Sequence, residues 1–529
     1  MRNLGFTSVH EKEKTMNLAT DPWLPVLDRH GEKTLISLTQ LFDEEHLWKD
    51  LSLYPHERVS VMRFLICLVQ TAIQGPDDMD DFEDNAETIK TKILAYLNDW
   101  KGSLHLFDAE KPFLQISGLE QVGKELNAVT KLNSTLSTGS NPTLFDHGGG
   151  SPEKEPPFRP MEDQAIAVSL LTFLNFSLGG LFPQVKWNGK QTSKSGVNDA
   201  PCASQSMLHA FIRQDTLVKT IFANTVTKED VLAAYGKDGW GKPVWEWLPQ
   251  DLTDENAIKN ATETYLGRLV PLSRLIRINN DRMTMLMGEG FKYPVAPAFQ
   301  PEPTATQVLK TINKKEERVL LNIKAKSPFR ELHSMTVRRK EGHGGPLTLN
   351  SIPENEAFDL LVAALKREQA SELDSVESVY HIPAPLNCDH GRAVYEKEIQ
   401  FAESTSFRLT RAMEQYRKTL DPTWEEATKK NRNLRQTLNN KAFALFWTRV
   451  EGELPSLFRY VESLGKDSQI VDELQAVWRK TVGSIVRESY ETLCGNANSR
   501  QLKAFIAGLN VLFPEIQKKK TQHTNREEP

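Results

Sequence analysis

The side chains that come nearest to a reactive cluster in this sequence are His381, Cys388, Asp389 and His390, and their spacing matches no standard zinc site. His147 stands beside Asp146 and has the chemistry of a general base, yet no nucleophile or metal-ligand set lies near it in sequence. The acidic run DDMDDFED, residues 77 to 84, lacks the glycine and the distal glutamate of a calcium loop and reads as a solvated turn or helix start. No phosphate-binding G-x-x-x-x-G-K-[ST], no HExxH, no G-x-S-x-G and no dinucleotide fingerprint occurs. These residues imply no catalytic site, no metal and no cofactor.

Three loops suit non-covalent recognition better. Lys131 to His147, KLNSTLSTGSNPTLFDH, is rich in turn formers yet carries Phe145, so it is either a loop packed on its own aromatic or a contact loop. Gly179 to Gly196 opens on paired glycines, which let a backbone approach a groove or phosphate, and it carries Lys186, Lys190 and Lys194 with Trp187 between them. The bland alternative is a helix end at Gly179 and Gly180 followed by a flexible surface loop. Asn387 to Arg392 reads as a turn presenting His390 and Arg392, or as a plain turn. Lys429, Lys430, Arg432, Arg435 and Lys441 are expected to span the join of two helices, as a solvated face or as a track for a nucleic-acid strand.

Such loops need a large scaffold. The 529 residues are 39% hydrophobic and 26% charged, ordinary globular composition with room for two domains. With 65 Lys+Arg against 70 Asp+Glu the net charge is −5, so any nucleic-acid role must rest on local basic patches or on partner subunits. The four cysteines form no CxxC pair, and Cys67 in VMRFLICLV reads as a small core residue. There is no apolar run of membrane-helix length and no secretory signal at the N-terminus, so a cytoplasmic protein is expected.

Residues 1 to 15 are expected to be a disordered extension. MNLATDPWLPVLD and TLISLTQLF then predict two strands leading into a helix. Helices are predicted from Pro55 to Gln74 and from Glu162 to Leu178, with Val59, Met62, Leu65, Ile66, Val69 and Ile73 as the apolar stripe of the first. Residues 203 to 225 look helical, and Leu269 to about Val337 reads as strands and hairpins. Beyond about residue 400, Gly and Pro become scarce and helical stripes take over, one through Ile470, Val477, Trp478 and Ile485, another through Leu434, Leu438, Leu445 and Phe446. The expected class is α+β: a large mixed α/β N-terminal globular domain, residues 16 to 395, carries the recognition loops. A C-terminal antiparallel (four-)helix bundle follows over residues 400 to 515, with a disordered tail from 516 to 529.

Several pieces together resemble one family. NLATDPWLPV, ISLTQLF, ERVSVMRFLICLVQ, KPFLQ, the KLNSTLSTGSNPTLFDH loop and RLVPLSRLIRI are similar, in that order, to the CasA family, the large subunit of the type I-E CRISPR Cascade complex. The resemblance implies a non-catalytic subunit at the 5′ end of the guide RNA. Such a subunit contacts the protospacer-adjacent motif (PAM) in double-stranded target DNA, helps open the duplex into an R-loop and recruits a helicase–nuclease. Guide pairing then reads sequence while the protein reads a short duplex element and stabilises displaced DNA. The partners implied are target DNA and its displaced strand, the guide-RNA-containing Cascade subunits, the small subunits through the bundle, and the helicase–nuclease.

Carried over residue by residue, the resemblance puts Phe145 where relatives have a DNA-contacting aromatic in the first loop; Asn141 and His147 of the same loop are expected to bind DNA with it. Gly179 and Gly180 fall at the start of the glycine loop that lies against the PAM minor groove, with Lys186, Lys190 and Lys194 after them. His390, with Asp389 before it, falls near a wedge position where some relatives insert glutamine, Arg392 of the same turn is expected to bind DNA, and Arg282 lies near a lysine that reaches into the minor groove. Two departures bear on PAM choice: the glycine pair runs into Leu181-Phe182-Pro183 instead of a longer glycine run, and histidine replaces glutamine. The rival readings are a scaffold subunit of an RNA-guided complex without DNA readout, and a phosphohydrolase using His147 and the acidic run.

Overall fold

Alternating apolar residues after Asn17 pair as the sequence predicts. β1 (Leu24–Asp28) and β2 (Lys33–Ile36) form a hairpin whose turn uses Gly31 at φ +83°, and β3 (Trp48–Leu51) completes an antiparallel sheet in the order β2-β1-β3. Between them α1 (Leu38–Asp43) opens on a capping box: Ser37 Oγ accepts the Gln40 N–H at 3.1 Å, and Gln40 Oε1 accepts the Ser37 N–H at 3.0 Å.

The chain is described from a computed structural model covering residues 16–123, 126–136, 160–196, 198–295, 302–324, 326–340, 342–368, 371–426 and 428–514. Asn141, Phe145 and His147 lie outside these residues. The molecule divides into two compact units, Met1–Pro353 with Asp359–Tyr380, and Glu354–Phe358 with His381–Pro529.

The first unit is built around α2 (Pro55–Ile73), with Pro55 in its first turn and the Glu57 carboxylate accepting the Tyr54 N–H at 3.1 Å. Every residue from His56 to Thr71 is buried, so the helix is enclosed on all sides rather than amphipathic. That burial forces polar solutions. Arg63, fully enclosed, meets the Glu302 carboxylate at 2.8 Å, and Arg268 reaches the same carboxylate at 2.5 Å. Burial pushes the Glu302 carboxyl up, but the two guanidinium charges outweigh it and hold it at about 2. Cys67 is buried, as its apolar setting predicts.

After α3 (Asp81–Asp84), α4 (Ala86–Asp99), β4 (Leu119–Gln121) and β5 (Asn127–Ala128), the second buried helix, α5 (Asp163–Phe176), packs on α2. Together they carry the core, with Trp23, Phe113 and Trp245 packed around Phe64 of α2. Four short strands follow: β6 (Gly180–Leu181), β7 (Val185–Trp187), β8 (Lys190–Gln191) and β9 (Ser195–Gly196).

The helix expected over residues 203 to 225 does not form as one element. Gln205 and Ser206 turn left-handed at φ 56° and 57°, and β10 (His209–Arg213) follows, then α6 (Leu217–Ala223). The apolar run there belongs to a sheet, β10-β15-β16, and tertiary pairing overrides helical spacing. Next come α7 (Lys228–Tyr235), α8 (Glu255–Glu263) and α9 (Tyr265–Leu269). The hairpins expected after Leu269 are β11 (Arg274–Ile278) with β12 (Thr284–Glu289), and β13 (Gln307–Ile312) with β14 (Lys315–Leu320). After α10 (Leu332–Met335), the long antiparallel strands β15 (Phe358–Glu368) and β16 (Ser371–Ile382) close the series.

The second unit is helical: α11 (Asp389–Leu420), α12 (Lys429–Gly452), the short α13 (Leu454–Glu462), α14 (Ser468–Leu493) and α15 (Ser499–Leu512). Tyr395, Leu409, Phe446, Trp478, Val482 and Phe505 are among its buried residues. Gly508 is required, since a Cβ there would strike the Tyr490 hydroxyl and the Ala412 carbonyl. Three residues of the predicted stripes, Leu434, Ile470 and Val477, are exposed. No helix among the described residues is long and apolar enough to cross a membrane.

Candidate nucleic-acid interface

The glycine pair does not end a helix. α5 stops at Phe176, with Ser177 already extended and its N–H donating to the Phe173 carbonyl at 2.8 Å. The glycines instead start an antiparallel excursion, with Gly180 opposite Gly196 and Leu181 opposite Ser195. Beyond them, β7 and β8 turn through Asn188 and Gly189, both at positive φ, as a two-residue hairpin turn demands. The segment read as a loose surface loop is thus laddered at its base and at its tip.

Its exposed surface is specific. Gly180 is exposed, and a Cβ added there would meet nothing within 4 Å. Leu181 is 83% exposed, while Phe182 next to it is buried under the Arg274 guanidinium at 4.4 Å. Lys186 and Lys194 are exposed, but Lys190 is held by Asp251 at 3.4 Å and by Thr253. Trp187 is buried against Phe291, so it serves packing and not recognition. The Gly179 N–H is already used, donating to Asp199 Oδ1 at 3.0 Å.

The first loop is described to Leu136, and the stretch before it is firmly based. Ala128 pairs with Thr284, and the Val129 N–H donates to the Met283 carbonyl at 2.9 Å. Beside it lies a cavity of about 270 Å³ lined in part by His56, Lys131, Ser134, Phe176, Phe182 and Glu372. His56 bridges Ser375 at 2.9 Å and Ser134 at 3.2 Å through its two ring nitrogens, and burial pulls it down to about 4. Burial pushes the Glu372 carboxyl up to about 7, against the hydrogen bond from Ser134. Burial also lowers the Lys131 ammonium.

Arg282 sits at φ 55° in the β11–β12 turn. Its guanidinium pairs with Asp163 at 2.7 Å and lies 4.5 Å over the Phe107 ring, so the side chain expected to reach into a groove is engaged within the protein. Asp389, His390 and Arg392 belong to the second unit. They form the first turn of α11 rather than a free-standing turn: Asp389 and His390 are exposed, and the Asp389 carboxylate accepts from Arg392 at 2.6 Å. The five basic residues from Lys429 to Lys441 all lie within α12 and do not span a join, and Arg435 is paired with Glu414 at 2.8 Å.

Sequence reading passed over three features. The β13–β14 hairpin exposes Lys310, Lys314 and Lys315 around a tip where Asn313 and Lys314 are left-handed; TINKKEERV carries that two-residue turn signal. Arg274 and the Asp199–Arg367 pair, which hold the glycine segment, have no sequence signal, because their partners are distant in the chain. Among the described residues no group of three or more His, Cys, Asp or Glu is placed to hold a metal ion.

Comparison with known proteins bears on this arrangement. The family model described as CRISPR-associated protein Cse1 matches residues 17–489. The CRISPR-associated protein CasA/Cse1 of Thermus thermophilus is 25% identical over 527 residues, covering 93% of this chain and 95% of that protein. The crystal structure of Thermus thermophilus CasA shares the fold at a TM-score of 0.72 and 21% identity, over 94% of this chain and 98% of that one. A chain of a CRISPR RNA-guided surveillance complex aligns at a TM-score of 0.67 and 15% identity, over 94% of this chain and 99% of that chain.

Proposed function

Because the chain belongs to the CRISPR-associated Cse1 (CasA) family, the large subunit of a CRISPR surveillance complex, we propose that it reads the PAM of double-stranded target DNA for that complex. In this reading it helps to open the duplex and acts by binding, without catalysis of its own. The observation that carries the reading is Gly180: an exposed backbone with open space at Cβ, on a braced excursion flanked by exposed Leu181, Lys186 and Lys194. A backbone so presented can enter a minor groove where side chains would clash, and the lysines neutralise nearby phosphates. Asn141, Phe145 and His147 join this surface by the family resemblance. Asp389 and His390, exposed at a helix start, are the proposed wedge residues, with Arg392 beside them as a proposed DNA contact. The helical unit faces the small subunits and the displaced strand, and the helicase–nuclease is recruited once the R-loop forms.

A scaffold without DNA readout is the second reading, favoured by the internal engagement of Lys190, Arg282 and the Gly179 N–H. Gel-shift binding of the assembled complex to duplexes with randomised PAM separates the two. Because nothing in the protein opposes a side chain at Gly180, Gly180→Ala should fold normally, and Gly180→Asp should weaken PAM-duplex binding by about tenfold or more through bulk and charge repulsion at the groove. Wild-type affinity in Gly180→Asp, or no PAM preference in the unmodified complex, favours the scaffold.

A further inference from the structure

The glycine segment leaves α5 and returns with its two limbs side by side, and one buried arginine ties the limbs together. Arg274, the first residue of β11, is 2% exposed. Its Nη2 donates to the Leu178 carbonyl at 3.1 Å on the outgoing limb and to the Asn198 carbonyl at 3.0 Å on the returning limb, with the Ser177 carbonyl at 3.4 Å. Its Nη1 donates to the Ser273 carbonyl at 2.6 Å, which fixes the guanidinium to its own strand. The guanidinium lies 4.4 Å over the Phe182 ring, with Phe182 inward beside the outward Leu181.

The surrounding contacts point the same way. The Ala200 N–H donates to the Ser177 carbonyl at 2.8 Å, and Asp199 receives the Gly179 N–H while paired to Arg367. Across the β11–β12 ladder, Glu289 faces Arg274 and accepts from the Ser193 hydroxyl farther along the segment. Burial pulls the Arg274 guanidinium down to about 10, against the opposing charges of Glu289 and Asp199, so it stays charged at neutral pH while bonded to backbone carbonyls.

We propose that Arg274 is the positioning residue of the glycine segment: by bridging its two limbs and pinning Phe182, it sets the distance and angle at which the Gly180 backbone and Leu181 meet the DNA groove. This rests on the PAM-reading function proposed above. The role needs a planar fork with several donors. A lysine ammonium keeps the charge, but it is a single nitrogen: it cannot bond the limb carbonyls, hold the Ser273 carbonyl and lay a planar group over Phe182 at once.

The test uses the assembled complex with Arg274→Lys and Arg274→Met, the first keeping charge and the second keeping bulk. Three quantities are measured: the affinity ratio between PAM and scrambled-PAM duplexes, the salt dependence of binding, and hydrogen exchange of the full chain. Both variants should lower the PAM ratio by about tenfold and leave the salt slope unchanged, because no phosphate contact is removed. Faster exchange should be confined to residues 177 to 200, whereas general destabilisation would raise exchange throughout the first unit. If Arg274→Met fails to assemble, Arg274→Lys carries the test. A preserved PAM ratio in Arg274→Lys, beside a wild-type complex that shows a preference, overturns this proposal alone. A wild-type complex without PAM preference overturns the reading beneath it as well. A salt slope that falls by about one unit also overturns it, since Arg274 would then be a phosphate contact.

Discussion

At the scale of single residues, the chain shows how burial reassigns chemistry that residue type alone suggests. His56 has the identity of a general base, yet its ring nitrogens are occupied by two serine hydroxyls and burial holds it near 4, neutral at physiological pH. Glu372 goes the other way, raised to about 7 by the same loss of solvent. Its folded-state value lies above the ordinary 4.5, so its contribution to stability is complete below pH 4.5 and is lost as pH rises through 7. Glu372→Gln cannot ionise. It should therefore match the wild type near pH 4.5 and become the more stable protein by roughly 3 kcal/mol at pH 8, measured by urea denaturation across that range. A stability difference independent of pH would show that Glu372 ionises as freely as a surface carboxylate. Arg282, expected from the family resemblance near a minor-groove lysine, is engaged by Asp163 and lies over the Phe107 ring.

At the scale of elements, helices were the legible part. Pro55 and the close-set apolar residues located α2 nearly to the residue, and the helix expected from Glu162 to Leu178 contains α5. Strands hidden in apolar runs were not legible, as β10 shows, because a short buried strand and a helix turn look alike until a partner strand is found. In the bundle, stripes alone also failed to say what holds α11 to α14. Glu398 is fully buried and accepts from Arg479 at 2.7 and 3.1 Å and from Gln475 at 2.9 Å. Arg479→Ala would leave that carboxylate without its counter-charge and should cost about 3 kcal/mol in thermal or chemical unfolding of the full chain. Pairing it with Glu398→Gln should recover most of the loss. If the single variant unfolds like the wild type, the pair is not a stabilising link.

At the scale of the whole molecule, a net charge of −5 means no global field draws DNA to the chain. The isolated protein should therefore bind a PAM duplex about a hundredfold or more weakly than the assembled complex at physiological salt, as fluorescence anisotropy would show. Equal affinity would place the whole of DNA recognition in this one subunit. The sequence by itself determined the α+β class, the central buried helices, the helical C-terminal part and, through ordered motifs from NLATDPWLPV to RLVPLSRLIRI, the family. These depend on local spacing and on short runs of residues, which a chain carries within itself. Only the tertiary structure decided which cations are exposed and which are engaged, that Trp187 and Phe182 turn inward while Leu181 turns out, and that Arg274 ties the two limbs of the glycine segment. Those outcomes depend on partners far away in sequence, such as Asp251 for Lys190 and Asp163 for Arg282. Burial and pairing between such residues exist only once the chain has folded.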